Sequence, residues 1–412
     1  MRRGLRTRFP AILATLLVMA GLLSPGAQGA EPADSGLWSQ PFAEMKLFSK
    51  RPPETVEESK KVPPAVSMVM LPDGRVLYWG GLEGLEGGVA PAAFDGARGL
   101  TDSRSRILDL RHGKPRWTTP RPETGGVHDL FCADQRLLAD GRLLVVGGTI
   151  WRADPIDLRE ILGPDGPLGG TTELFGSNAT RIFDPRTDRW HKGVEFMRHY
   201  RWYPTLITLP DGRLFVASGV SRLVYNFRGT TVHETEIYNP ATQRWKNTGT
   251  SGETPLPLFA RLHLLPDGNV FYSGVGQMFN PAGQGYDEAL WNVHRIYDPK
   301  ENAWTMSGIG EFGARSGAFS VMMPLKAPYD EAKFLIGGGT LFTSPGGYLA
   351  NNFTELVTVK DGTSSSERVA DLNNARWYSS GVLLPDGNVV ALSGANRDEV
   401  LVPGSETPVT QA

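Results

Sequence analysis

One three-residue turn, repeated along the chain, limits the folds open to it. Pro72-Asp73-Gly74 separates two apolar runs, as do Ala139-Asp140-Gly141, Pro210-Asp211-Gly212, Pro266-Asp267-Gly268 and Pro385-Asp386-Gly387. Such a turn closes a β-hairpin for a physical reason. Proline presets its own φ, the aspartate side chain bonds nearby amides, and glycine takes the left-handed conformation. The hairpins occupy residues 66–81, 130–148, 205–219, 262–274, 318–339 and 380–394, and each second run ends in small residues. In the fifth, residues 326–330 take the place of the tight turn. The turns recur about every 55–70 residues, near the spacing of propeller blades.

A second element follows three of the hairpins: Phe183-Asp184-Pro185 … Trp190, Tyr238-Asn239-Pro240 … Trp245 and Tyr297-Asp298-Pro299 … Trp304. Each reads as a short strand, a turn, and a tryptophan expected to bury against its own blade. Hairpin and element together make about four short strands, which cannot cover both of their apolar faces alone. Radial stacking covers them. The expected fold is all-β, a kelch-like β-propeller over residues 64–412, led in by residues 30–63. With 49 glycines and 31 prolines, turns are frequent and helices disfavoured. No Asp-Pro … Trp element follows Gly394, so the last unit reads as incomplete. The ring is expected to be open and the chain truncated, since a propeller protects its edges by closing.

Residues 1–29 read as a signal peptide. Arg2, Arg3, Arg6 and Arg8 are its basic part, residues 9–23 its apolar part, and Ala27-Gln28-Gly29 its cleavage site. The expected destination is secreted, extracytoplasmic, with no membrane span after cleavage. A balance of 42 basic and 44 acidic residues shows neither a nucleic-acid footprint nor a membrane-surface helix.

Cys132 is the only cysteine, in Asp129-Leu130-Phe131-Cys132-Ala133. In an exported chain, a thiol without a disulfide partner calls for an explanation. One repeat later, at a similar place before the hairpin, stands Arg201-Trp202-Tyr203-Pro204-Thr205. A thiol and a phenol brought to neighbouring positions of one repeat architecture offer two halves of a redox site. On these motifs the chain resembles the galactose oxidase and glyoxal oxidase family of copper-radical oxidases, nearest its glyoxal oxidase branch. The resemblance implies a propeller of seven blades, about six of them present here, and a C-terminal sandwich domain that is absent. It implies a thioether between Cys132 and Tyr203, with the Tyr203 oxygen as a copper ligand. The cofactor would be one copper ion with the Cys-Tyr radical. The substrates would be O2 and a primary alcohol, aldehyde or carbohydrate, and a product would be H2O2.

The family's other ligands are an axial tyrosine followed by histidine, and a second histidine. Neither histidine has a match. Arg376-Trp377-Tyr378-Ser379-Ser380 comes nearest, with serine after the tyrosine. Either Tyr378 is the axial tyrosine and its histidine is lost, or it lies one blade before the axial one. On both readings the chain as it stands is expected to be incompetent. His128 and His199 precede Cys132 and Tyr203 by the same interval, on one face of an extended strand. Without a convergent set, loop or edge histidines are the plainer reading. Trp151, Tyr225 and Phe227 are candidates to stack over the tyrosine, and packing explains each equally. Residues 153–170 read as a long surface loop. The competing function is a non-catalytic kelch-like propeller that binds carbohydrate or protein. A hydrolase has no nucleophile elbow to support it.

Overall fold

Leu143, Leu144, Val145 and Val146 run consecutively along one strand, and all four are buried. Side chains alternate faces along a strand, so both faces of this sheet need cover. The computed structural model shows where that cover comes from. It describes Ala65 and residues 67–79, 105–121, 128–157, 170–191, 194–222, 231–277, 292–313, 315–340 and 349–397. All lie within the unit Glu44–Ala412.

The described residues form six antiparallel sheets that follow the repeat. The first holds Ser67–Met70, Val76–Trp79, Arg106–Asp109 and Arg116–Thr118. The second holds His128–Leu137, Leu143–Asp157, Thr180–Asp184 and Arg189–His191, with Gly170–Gly176 also paired to its long second strand. The third holds Thr205–Thr208, Leu214–Ala217, Glu236–Asn239 and Arg244–Asn247. The fourth holds Leu262–Leu264, Val270–Tyr272, Val293–Asp298 and Ala303–Ile309, and the fifth Phe319–Met322, Glu331–Gly337, Thr354–Lys360 and Thr363–Arg368. The sixth pairs Ser380–Leu383 with Val389–Leu392. Among the described residues the fold is all-β, a kelch-like propeller; the one helical turn is Thr250–Gly252. No helix there is long and apolar enough to cross a membrane.

Each core cluster joins two successive blades. Leu143 and Val145 pack with Leu77, Trp79 and Ile107 of the first blade. Leu144 and Val146 pack with Leu206, Leu214 and Val216 of the third. Phe215 and Ala217 turn the other way, to Val270 and Tyr272 of the fourth. Phe271 in turn meets Phe334 and Ile336 of the fifth. The period of two thus sends alternate residues of each second strand to opposite neighbours, and burial of this apolar surface is what holds the blades together.

The turns are built as their residues dictate. The Oδ1 atoms of Asp73, Asp140, Asp211 and Asp267 accept the N–H two residues on at 3.0–3.1 Å. The tryptophans pack on their own blades as expected, Trp190 on Phe183, Trp245 on Tyr238 and Trp304 on Tyr297, with ring centroids 5.1–5.2 Å apart. Each indole N–H in addition reaches the preceding blade or its exit: Ser105 Oγ for Trp190, Thr180 Oγ1 for Trp245 and the Gly252 carbonyl for Trp304. One expectation needs correction: the stretch expected as a loop is partly strand. The second strand continues to Asp157 and pairs with Gly170–Gly176.

Candidate functional site

The inner strands of five blades are entered in the same way. Cys132, Tyr203, Phe259, Gly317 and Tyr378 all have positive φ, at 65°, 57°, 44°, 66° and 53°. Such angles are uncommon for residues other than glycine, and they persist only where the surroundings impose them. Here the backbone links these residues to one another. The Tyr203 N–H donates to the Cys132 carbonyl at 3.0 Å, and the Phe259 N–H to the Tyr203 carbonyl at 3.0 Å. The Tyr378 N–H donates to the Gly317 carbonyl at 2.9 Å.

Cys132 is 2% exposed, so its thiol does not face bulk water. Tyr203 is half-buried. Its ring is tilted against Trp202, with centroids 4.0 Å apart, and against Phe259, at 4.4 Å. Trp202 is itself fixed. Its Nε1–H donates to Thr149 Oγ1 at 3.1 Å, and the Thr149 hydroxyl donates to the Phe131 carbonyl at 2.8 Å. One hydroxyl therefore joins the neighbour of Cys132 to the neighbour of Tyr203. Gly147 makes the close approach possible. A Cβ there would stand 2.7 Å from the Arg201 carbonyl oxygen and 2.8 Å from Pro204 Cγ.

Phe259 was not among the stacking candidates. The side chain of Trp151 lies outside the described residues, as do Tyr225 and Phe227. The usable signal was its position: Phe259 stands as far before Gly268 as Tyr203 does before Gly212. Tyr378 repeats the Tyr203 arrangement on the sixth blade, with its ring 4.6 Å from that of Trp377.

The histidines are engaged elsewhere. His199 Nε2 is hydrogen-bonded to Asn247 at 3.1 Å. His263 Nε2 meets Ser320 Oγ at 2.8 Å, and burial pushes its pKa down to about 3. His294 Nδ1 meets Ser364 Oγ at 2.9 Å, and burial lowers its pKa to about 4. The His128 side chain lies outside the described residues. Cu(II) favours a tetragonal set of nitrogen and oxygen donors. Among the described residues no group of three or more His, Cys, Asp or Glu is arranged to hold a metal ion. The residues described around Tyr203 therefore do not fit a complete copper site.

No protein-family model matches the chain. Among curated proteins, a WSC domain-containing protein of Arthroderma benhamiae is 27% identical over 280 residues, covering 65% of this chain and 26% of that protein. A galactose oxidase of Gibberella zeae is 22% identical over 343 residues, covering 81% and 43%. The aldehyde oxidase GLOX of Vitis pseudoreticulata is 25% identical over 310 residues, covering 71% and 48%. The chain is thus similar in sequence to a galactose oxidase and to a glyoxal-type aldehyde oxidase. It spans less than half the length of these relatives. Solved structures agree on the fold. A copper-complexed fungal alcohol oxidase of the AA5 family superposes with a TM-score of 0.56 at 17% identity, covering 84% of this chain and 62% of its own. YjhT does so with a TM-score of 0.51 at 16% identity, covering 85% and 94%. At Cys132 and Tyr203 a thiol-bearing and a phenol-bearing residue stand on successive blades, joined by the Tyr203 N–H to the Cys132 carbonyl.

Proposed function

We propose that this chain carries the redox half-site of a secreted oxidase that takes a primary alcohol or aldehyde and O2 to an oxidised product and H2O2. Cys132 and Tyr203 form its thioether-linked pair, and Tyr203 and Tyr378 offer the phenol oxygens. One observation carries the reading: a buried thiol and a phenol packed among aromatic rings occupy consecutive left-handed positions, with the Tyr203 N–H bonded to the Cys132 carbonyl at 3.0 Å. The overall change removes two electrons and two protons from the alcohol, or from the hydrate that an aldehyde forms with water, and dioxygen accepts both. A thioether on the ring makes the phenol easier to oxidise. Trp202 and Phe259 pack against the ring and reduce its contact with water.

The test is tryptic mass spectrometry of the full chain after incubation with cupric ion and air. The expected result is one joined peptide pair, lighter than the sum of the two by two hydrogen atoms. A free Cys132 thiol after that treatment removes the reading. The second reading is a non-catalytic propeller that binds carbohydrate or protein. The incomplete donor set among the described residues favours it. Peroxide release with aldehydes or galactose above a metal-free blank rules it out.

A further inference from the structure

The segment that delivers Tyr203 is wound around a single buried carboxylate. Glu236 lies on the third strand of the same blade and is 1% exposed; Arg201 is 0% exposed. Glu236 Oε2 accepts from Arg201 Nη2 at 3.0 Å. Glu236 Oε1 accepts the backbone N–H of Arg198 at 2.7 Å, and Oε2 lies 3.4 Å from the N–H of His199. The guanidinium also donates to the carbonyls of Ser218 and Glu234, each at 2.7 Å. One side chain thus ties down both the backbone at 198–199 and the arginine two residues before Tyr203. Two charges in a dry setting form such a bond only if the geometry is well satisfied, and removing one partner leaves the other uncompensated.

The fifth blade carries the same device. Glu355 pairs with buried Arg315, and its Oε2 accepts the Glu311 N–H at 2.8 Å. Arg315 Nη1 donates to the carbonyls of Gly338 and Phe353 at 3.2 and 2.9 Å. That segment, however, leads to Gly317, which has no side chain to aim. The two clamps share a buried Arg–Glu pair that fixes a backbone amide, Glu236 reaching one amide more, and differ chiefly in what they deliver.

We propose that Glu236 is a positioning residue for the Cys132–Tyr203 pair: through Arg201 and the amides of 198–199 it holds Tyr203 in its left-handed conformation, with the ring where the Cys132 sulfur attacks. This rests on the reading of the pair given above. In the step concerned, a sulfur–carbon bond forms, the thiol S–H and one ring C–H are lost, and dioxygen takes up the two electrons and two protons as hydrogen peroxide. Glu236 takes no part in that exchange; it sets the geometry from which it starts.

The test compares Glu236→Gln with Glu355→Gln in the full chain. Each replaces a buried carboxylate by its neutral isostere, and both should lower the unfolding midpoint similarly. With cupric ion and air, Glu355→Gln should join the Cys132 and Tyr203 peptides at the wild-type rate, and Glu236→Gln at least about tenfold more slowly. Backbone amide exchange gives a readout that needs no redox chemistry. The Tyr203 N–H should exchange about tenfold faster in Glu236→Gln than in Glu355→Gln, both measured under conditions where the global fold is intact. Equal joining rates in the two variants overturn the proposal, and so does equal Tyr203 exchange. If the wild type itself fails to join, the redox reading falls, and the exchange comparison alone decides whether Glu236 positions Tyr203.

Discussion

Arg201-Trp202-Tyr203 and Arg376-Trp377-Tyr378 enter their blades alike. Their tyrosines have φ of 57° and 53°, and their Trp–Tyr ring centroids are 4.0 and 4.6 Å apart. Each arginine donates through Nη1 to a carbonyl at the end of its hairpin, Ser218 at 2.7 Å and Ser393 at 3.0 Å. Each tryptophan exchanges backbone bonds with the segment after that hairpin, Val220 or Ala395. The difference lies in the neighbours. Tyr203 follows Cys132 and is stacked by Phe259; Tyr378 follows Gly317. Trp202 is bonded across to Thr149 of the preceding blade, whereas Trp377 donates to Arg397 beyond its own hairpin. The repeat supplies a Trp-Tyr entry twice, and the adjoining blade decides whether a cysteine or a glycine precedes it.

The comparison breaks most sharply at the thiol. Cys132→Ser should abolish the joined peptide completely, with Tyr203 and Tyr378 both recovered unmodified. Mass spectrometry after copper and air checks this. A Tyr378 peptide that becomes cross-linked in the wild type would show that the two copies are equivalent after all.

Backbone approach comes next. Gly147→Ala places a Cβ 2.7 Å from the Arg201 carbonyl oxygen, at a φ of 76°. Strain and overpacking there should cost about 2–4 kcal/mol. Gly212 has φ of 81° but nothing within 4 Å of the added carbon. Gly212→Ala should cost only about 1 kcal/mol, the left-handed penalty alone. Denaturant unfolding midpoints of the two variants, at unchanged slope, test the contrast.

Thr149→Val sharpens it further. The valine keeps the volume but removes the hydroxyl between Phe131 and Trp202, leaving a buried indole N–H without its acceptor. The expected loss is about 1–3 kcal/mol. Joining of Cys132 to Tyr203 should slow, while the Trp377–Tyr378 contact stays as it was. Chemical denaturation and the near-ultraviolet dichroism of the tryptophans report the two effects.

Which of these features the sequence revealed follows from how far apart their causes lie. The hairpins were legible because Pro-Asp-Gly acts within three residues. The meeting of the Cys132 and Tyr203 backbones was legible because a unique thiol and a motif tyrosine stand at matching repeat positions. Thr149 and Trp202 are 53 residues apart, and Thr205 Oγ1 bonds the Ala260 carbonyl 55 residues away. No local pattern announces such contacts. Glu236 was invisible for the same reason, since an acidic residue in a short strand reads as solvent-facing until the arginine that buries it is in place. Residues 153–157 misled in the other direction: Asp154-Pro155 signals a turn, yet long-range pairing with Gly170–Gly176 holds the segment in the sheet.

Acid should separate the two regions by the smallest margin. His263 is half-buried and His294 buried, both neutral, with pKa values lowered by desolvation to about 3 and about 4. In the unfolded chain both titrate at about 6.5. Between those limits the unfolded state binds protons that the folded state does not, so stability present above about pH 6.5 is lost as pH falls towards 4. The rings face the fifth blade: His263 meets Ser320, and His294 meets Ser364 beside the Arg315–Glu355 clamp. Around His263 the charged groups acting on it are Arg261 and Arg136, both cationic, which oppose protonation further. Hydrogen exchange at pH 5 against pH 7, corrected for the intrinsic rate, should therefore rise first in Val293–Asp298 and Thr354–Lys360. Amides around Cys132 and Tyr203 should lag behind. Equal loosening of both regions would mean that the two halves of the propeller open as one unit, and that the neighbour-by-neighbour account of the tyrosine copies holds for chemistry but not for stability.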